Sequence, residues 1–141
     1  MDIKIIKTFL RLAIAFGFLS AVADRFGMWP AEITAWGNWD SFLAYTEKIN
    51  PWLPTALIPA VGGLATAAEV FFALALLAGY KTEFFARLSG LLMLLFALAM
   101  TFSTGIKSAF DASVFAASAG AFGLSLIKEK YWELDSLISK S

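Results

Sequence analysis

The chain contains long apolar segments, and their length restricts the possible folds more than any other feature. A helix needs about 20 apolar residues to cross a bilayer, and segments of this order occupy residues 5–26, 57–79 and 84–104. A shorter one lies at residues 110–127. Apolar residues make up 60% of the composition, against about 45–50% in a soluble domain. The segments do not alternate between apolar and polar residues, so they predict helices rather than the strands of a barrel.

We therefore predict an all-α membrane protein in which four transmembrane helices form a bundle and residues 1–141 form a single domain. Residues 31–50, in the long outer loop, have aromatic and apolar side chains at helical spacing, which predicts one or two short interfacial helices. This loop is either an aromatic anchor at the membrane surface or a lid over a cavity between the helices. The short connection at residues 79–83 predicts an antiparallel helical hairpin. The tail, residues 128–141, has the pattern of an amphipathic helix on the inner surface.

The distribution of basic residues predicts the orientation. Of the eleven Lys and Arg residues, eight fall in segments on the side of the two termini, and only Arg25, Lys48 and Lys107 fall on the other side. Because basic residues concentrate in cytoplasmic segments, both termini are expected in the cytoplasm. The segment at 21–23 also resembles a signal-peptide cleavage site, but we interpret residues 5–26 as a membrane-spanning helix.

Composition excludes several kinds of chemistry. The chain contains neither cysteine nor histidine, which excludes thiolate nucleophiles and His or Cys ligation of zinc, haem or iron–sulfur clusters. No catalytic residue, metal site or covalently bound cofactor is predicted. Eleven basic residues balance eleven acidic ones, so no overall positive field attracts nucleic acid. Proton chemistry is left to Asp, Glu, Lys, Arg or Tyr.

Glu69 lies near the middle of the second apolar segment, where a charged side chain usually faces a bundle interior, a partner or a substrate path. Small residues share its face of the helical wheel, and in the first segment they share the face of Asp24. These small faces comprise Gly62, Ala65, Thr66 and Ala73 around Glu69, Ala13, Gly17 and Ser20 around Asp24, and Ser113, Ala116, Ala117, Gly120 and Gly123 in the fourth segment. Since small residues allow close helix packing in lipid, we expect both carboxylates to point inward.

The depth of each residue, at about 1.5 Å of helix per residue, suggests how Glu69 is neutralised. Asp24 and Arg25 are expected near the outer boundary, where solvation is the commoner situation. Only Arg11 is expected to reach the depth of Glu69, and without that contact Glu69 is expected to be a neutral acid. Glu69 then either binds a ligand or relays a proton, or it joins helices by a hydrogen bond to a group such as Thr66.

The residues resemble those of the DoxX-like family of small four-helix bacterial membrane proteins, over nearly the whole chain. The resemblance rests on Arg11-Leu12, on residues 20–25 (SAVADR) at the exit of the first helix, and on residues 62–69 (GGLATAAE) of the second. The outer loop (residues 42–46 and 50–54), the turn at residues 79–82 and Arg87 fit the same family. The first-helix exit often carries Lys in this family, and here it carries Asp24-Arg25.

The resemblance implies a multi-pass protein of the bacterial cytoplasmic (inner) membrane. One relative, DoxD, is a membrane subunit of a thiosulfate:quinone oxidoreductase, which makes an oxidoreductase subunit a candidate partner and a quinone a candidate ligand. The expected function is that of an accessory subunit without independent catalysis. The candidate ligand-binding residues are Glu69, Thr66, Asp24, Arg11 and Trp36. The alternatives are a small-molecule transporter that acts as a homo-oligomer, and a structural or assembly partner of another membrane protein.

Overall fold

The computed structural model describes residues 1–138, and the regular secondary structure of these residues is entirely helical. The helices are α1 (Ile3–Arg25), α2 (Trp39–Ile49), α3 (Ile58–Ala78), α4 (Thr82–Ser103), α5 (Ile106–Asp111), α6 (Val114–Ser125) and α7 (Leu134–Ile138). A single 3-10 turn, Thr55–Leu57, leads into α3.

Three of these helices are long and apolar enough to cross a membrane: α1, α3 with its preceding turn, and α4. They agree closely with the first three predicted segments. The fourth predicted segment is not one continuous helix, because the chain breaks between α5 and α6, where Ser113 has a left-handed backbone with φ of 56°. The shorter apolar helix α6 has 12 residues, which corresponds to about 18 Å of helix.

The hairpin between α3 and α4 is as tight as predicted. Gly79 ends α3 in the left-handed conformation with φ of 68°, which suits a residue without a Cβ atom. The carboxylate of Asp135, in α7, accepts hydrogen bonds from the backbone N–H groups of Lys81 at 2.7 Å and Thr82 at 2.9 Å. These N–H groups have no partner within α4, so the tail caps this helix.

The apolar helices pack as two close pairs, α1 with α3 and α4 with α6, which meet in a common core. In the second pair, Gly90 lies so close to the ring of Phe122 that a Cβ atom would approach it to 2.9 Å. There Ser118 also donates a hydrogen bond of 2.7 Å to the carbonyl of Gly90. We call the end of the bundle at which α1 begins, with residues 126–138, the tail end, and the opposite end, with residues 26–57, the loop end.

The loop contains one helix, α2, as the sequence predicts. Asn38 caps it by accepting a hydrogen bond of 2.8 Å from the backbone N–H of Ser41, a preferred role for asparagine. Its inner face, formed by Phe42, Thr46 and Ile49, is buried. The loop therefore covers this end of the bundle.

The tail was predicted as an amphipathic helix over residues 128–141. The structure has the five-residue helix α7, and residues 139–141 lie outside the described residues. The residue before α7, Glu133, is buried with 4% of its surface exposed. Part of the tail thus enters the tail end of the bundle.

Candidate functional site

Glu69 and Arg25 form a buried ion pair at the loop end. The Nη2 atom of Arg25 lies 2.9 Å from both carboxylate oxygens of Glu69. The side chains are 3% and 1% exposed, respectively. Removing one partner of such a pair leaves the other as an uncompensated buried charge, which is strongly destabilising. The two residues are therefore one unit, and a change in either alters both.

This pair corrects three predictions. Glu69 faces inward as expected, but it has a cation within hydrogen-bonding distance, so the expectation that it is isolated is wrong. The cation is Arg25, not Arg11. Asp24 and Arg25 were expected to be solvated at the boundary, but they are 7% and 3% exposed, because the loop covers the end of α1.

Thr66, one turn from Glu69 on α3, also binds the guanidinium group of Arg25. Its hydroxyl accepts a hydrogen bond of 2.6 Å from Nη1 of Arg25 and donates one of 2.8 Å to the carbonyl of Gly62. The sequence placed Thr66 on the same face as Glu69, and the structure brings both to one guanidinium group. Two nitrogen atoms of Arg25 are thus held by α3.

Aromatic rings of the loop cover the same guanidinium group. Its central carbon lies 3.9 Å from the ring centre of Phe42 and 5.4 Å from that of Trp36. A cation over a ring face is attracted by the negative charge of that face. Trp36, a candidate from the sequence, therefore belongs to the site through its contact with Arg25.

Asp24 holds the loop in this position. Its carboxylate accepts hydrogen bonds from the Thr34 hydroxyl, and from the backbone N–H groups of Ala35 at 2.7 Å, Trp36 at 3.2 Å and Gly37 at 3.0 Å. Gly37 has φ of 77°, a conformation that lets successive N–H groups converge and that glycine adopts without strain. Asp24 is therefore a positioning residue: its hydrogen bonds to the loop backbone hold Trp36 beside Arg25.

One donor of the ion pair has no partner. The Nε atom of Arg25 is buried and has no hydrogen-bond acceptor among the residues that the structure describes. A buried N–H group without an acceptor is costly, and such groups are rare in native proteins. An oxygen atom of a bound molecule would satisfy it.

Arg25 and Glu69 lie on the wall of a cavity of about 1060 Å³. Small-molecule sites typically have volumes of about 300–1,000 Å³, so this cavity can accept a large ligand. Its lining is mostly apolar and comes from α1, α3, α4, the loop and the segment 112–120. An apolar cavity with a few converging polar groups is the usual composition of a ligand site.

Tyr45 and Thr46 of α2 also line this cavity. Burial raises the pKa of the Tyr45 hydroxyl above its ordinary value, which keeps it protonated and able to donate a hydrogen bond. The Thr46 hydroxyl is already bonded to the carbonyl of Phe42 at 2.9 Å. The loop thus forms part of the cavity wall, in agreement with the lid interpretation of the loop.

Arg11 is far from this group of residues and belongs to the tail end. It donates hydrogen bonds to four backbone carbonyls: Leu76 at 2.9 Å, Leu77 at 3.0 Å, Tyr131 at 3.1 Å and Trp132 at 2.9 Å. The first two belong to the last turn of α3, whose carbonyls carry the partial negative charge of a helix C-terminus. The structure therefore brings together Glu69, Thr66, Asp24 and Trp36, but not Arg11.

Glu133 is the acidic partner at the tail end. Lys7 Nζ lies 3.0 Å from its Oε1 atom and 3.1 Å from its Oε2 atom, and Arg11 Nη1 lies 3.9 Å from Oε1. The carbonyl of Glu129 accepts a further hydrogen bond of 2.6 Å from Lys7. The backbone is also close here, since a Cβ atom on Gly79 would lie 2.5 Å from the Cα atom of Glu133.

Sequence reasoning missed Arg25 and Glu133. Arg25 adjoins Asp24 in the sequence, and a basic residue at the end of a small-residue helix face was a usable signal. For Glu133 we find no such signal, because its partners Lys7 and Arg11 are more than a hundred residues earlier in the chain.

The fold and the site define an all-helical protein with membrane-compatible helices and a buried ion pair beside an apolar cavity. No protein-family model, no curated protein and no solved structure matches this chain.

Proposed function

We propose that this protein is a membrane-embedded subunit that binds a quinone or a similar apolar ligand at Arg25 and Glu69 and serves a redox complex. The observation that carries the proposal is the side chain of Arg25, which lines a large apolar cavity and whose buried Nε–H group has no acceptor among the described residues. A quinone needs an apolar slot with one or two polar groups at its carbonyl oxygens. Arg25 Nε supplies one donor, and the Tyr45 hydroxyl is available as a second.

The choice of quinone over other apolar ligands also rests on the resemblance to the DoxX-like family. Without Cys or His, this chain offers no thiolate or imidazole ligand for haem or iron–sulfur centres. Electrons would therefore reach the ligand from a partner oxidoreductase. The large cavity favours a ligand-binding role over a purely structural one, since a scaffold gains stability from a filled core.

The proposed membrane arrangement has four crossings, with the short helix α6 as the fourth and α5 at the boundary. The tail end faces the cytoplasm of a bacterium, because most Lys and Arg residues lie in segments of that side. The absence of native cysteine allows a direct test with single-cysteine variants. A membrane-impermeant maleimide should label Lys48→Cys in intact cells and Lys130→Cys only after lysis, and the reverse pattern would contradict this orientation.

The binding proposal is tested with purified protein in lipid nanodiscs. The probe is a dimethoxy-methyl-benzoquinone without a tail, followed by quenching of tryptophan fluorescence. Arg25→Lys keeps a positive charge beside Glu69 but removes the Nε–H group, so we expect about a tenfold loss of affinity, the effect of one hydrogen bond to a charged donor.

The matched control is Arg11→Lys, which makes the same change at an equally buried arginine outside the cavity. It should bind the probe as the unsubstituted protein does, provided that both variants elute as a single folded species. Failure of the unsubstituted protein to bind the probe, or an equal loss in both variants, would overturn the proposed function.

The accessory role has its own test. The tagged protein is isolated from its native membranes in a mild detergent, and the preparation is examined for flavin, haem or iron–sulfur absorption. We expect such a cofactor in constant ratio to this chain, carried by a second polypeptide. Quinone binding without any co-isolated redox centre would limit the function to binding alone.

A further inference from the structure

The cavity beside Arg25 is open to the surroundings of the bundle between α1 and α6. Several cavity-lining residues of these helices are exposed: Ala13 and Gly17 on α1, and Ala116 and Ala117 on α6. Exposed lining residues on two helices that contact each other mark a place where the cavity meets the surface of the bundle. Between α3 and α4, the exposed lining residues are bulky, among them Leu64 and Phe102. The α1–α6 gap is therefore the less obstructed of the two.

The gap is unfilled at its middle. A Cβ atom added to Gly17 would meet no atom within 4 Å, and one added to Gly120 would meet only the Leu10 side chain, at 3.8 Å. Helices with small residues in lipid usually approach closely, yet here the small residues leave space. This opening lies along helices that are apolar enough for a membrane, so it faces hydrocarbon when the protein is inserted.

The charge balance at Arg25 and Glu69 determines whether the ligand headgroup is neutral or anionic. Arg25 is already balanced by Glu69 at 2.9 Å, so the pair has no net charge. An anionic head would bring a second negative charge next to the Glu69 carboxylate in a low-dielectric site, which is unfavourable. A neutral carbonyl oxygen accepts a hydrogen bond from Arg25 Nε without this repulsion.

We propose that the ligand is a long-tailed neutral lipid whose head oxygen is bound by Arg25 Nε and whose apolar tail leaves the cavity between α1 and α6. This inference rests on the proposed function and extends it to the ligand class and its route. The ligand reaches the site sideways from the bilayer, so the loop does not need to open. In this proposal Gly17 on α1 and Ala116 and Ala117 on α6 contact the apolar tail of the ligand and not its headgroup.

The test compares two probes in nanodiscs: the tailless benzoquinone and the same headgroup with a decyl tail. Gly17→Phe places a ring in the gap. We expect it to bind the tailless probe normally and the decyl probe about tenfold more weakly, since two methylene groups kept out of an apolar site cost about that much affinity. Partition of the decyl probe into lipid is the same for every variant, so it cancels in the comparison.

Gly123→Phe is the matched control, because Gly123 also has open space around it but does not line the cavity. It should bind both probes normally. Ala117→Phe fills the gap from the opposite helix and should reproduce Gly17→Phe, which guards against a folding defect in one variant. Stearate, with an anionic head, should bind at least about tenfold more weakly than the decyl probe, as expected for an unfavourable like-charge contact.

The tail route is overturned if Gly17→Phe and Ala117→Phe bind the decyl probe normally, or if they lose both probes equally. The neutral head is overturned if stearate binds as tightly as the decyl quinone. If the unsubstituted protein binds neither quinone, the proposed function itself fails, an outcome that differs from all of these.

Discussion

The two ends of the bundle each bury an arginine of α1, but they use it in opposite ways. At the tail end, Nε, Nη1 and Nη2 of Arg11 all donate hydrogen bonds to backbone carbonyls. At the loop end, the side chain of Arg25 lines the cavity, uses Nη1 and Nη2, and leaves Nε without a partner among residues 1–138. A fully bonded buried arginine joins parts of the fold, whereas a partly bonded one beside a cavity retains capacity for a ligand.

The charge balance also differs between the ends. One cation and one carboxylate meet at the loop end, with Arg25 and Glu69. At the tail end, Lys7 and Arg11 share the single carboxylate of Glu133, and carbonyl dipoles offset the remaining charge. Loss of the carboxylate therefore leaves two buried cations at one end and a single cation at the other.

The largest expected effect is at the tail end. Glu133→Ala leaves Lys7 and Arg11 without their carboxylate and should lower the free energy of unfolding by about 3–5 kcal/mol, the range for breaking a buried ion pair. The measurement is a denaturant titration in mixed micelles, followed by circular dichroism. Quinone binding by the folded fraction should not change.

The control for this variant is Glu83→Ala, which breaks the exposed pair with Lys128 and should cost no more than about 1 kcal/mol. Equal losses of unfolding free energy in the two variants would show that the buried ion pair at the tail end is no more stabilising than the exposed one.

The second effect is at the loop end. Glu69→Gln removes the negative charge but keeps an oxygen that accepts a hydrogen bond from Arg25, so we expect a loss of about 3 kcal/mol, the lower end of the range for breaking a buried ion pair. It should also reverse ligand preference, because Arg25 would then be free to bind an anion. Stearate affinity should rise about tenfold and decyl-quinone affinity should not, measured side by side in nanodiscs. An unchanged preference would contradict the charge-balance argument.

A third, smaller effect concerns the loop. Asp24→Asn removes the charge that the Thr34 hydroxyl and three N–H groups share, and should cost about 1–2 kcal/mol locally. Hydrogen exchange at the amides of residues 35–37 should accelerate about tenfold, because these amides then open more easily. Asp40→Asn, on the exposed first turn of α2, is the control. Equal exchange in both variants would show that Asp24 does not hold the loop.

The smallest effect is expected at the exposed pair of Lys107 and Asp111, whose side chains are 85% and 63% exposed. Exposed ion pairs contribute only about 0–1 kcal/mol, so Lys107→Ala should leave both the unfolding midpoint and probe binding nearly unchanged. A large loss would mean that this segment has a role in the bundle that its exposure does not indicate.

Much of the fold was predictable from the sequence, because apolar length and helical periodicity are local properties. They correctly predicted three long helices, the tight hairpin and a helix in the loop. They did not predict the break before α6, which depends on Ser113 adopting a left-handed backbone. The helix faces with small residues were expected to form close helix contacts, but small residues of α1 and α6 line the cavity instead.

The partner of Glu69 was not predictable from depth alone. Arg11 and Arg25 are 14 positions apart on α1 (25 − 11), but their contacts on α3, Leu76 and Glu69, are only 7 apart (76 − 69). The mismatch is about 10 Å of helix, and the two long side chains span it. A depth estimate that places each charge at its Cα atom therefore selects the wrong arginine.

The contact between Glu133 and Lys7 has a consequence for biosynthesis. The two residues are 126 positions apart, so a ribosome adds 126 residues after Lys7 before this carboxylate is in place. Until then Lys7 and Arg11 lack the carboxylate with which they pair in the folded protein. When Glu133 is added, the same two cations become part of a buried ion-paired cluster that joins the two ends of the sequence.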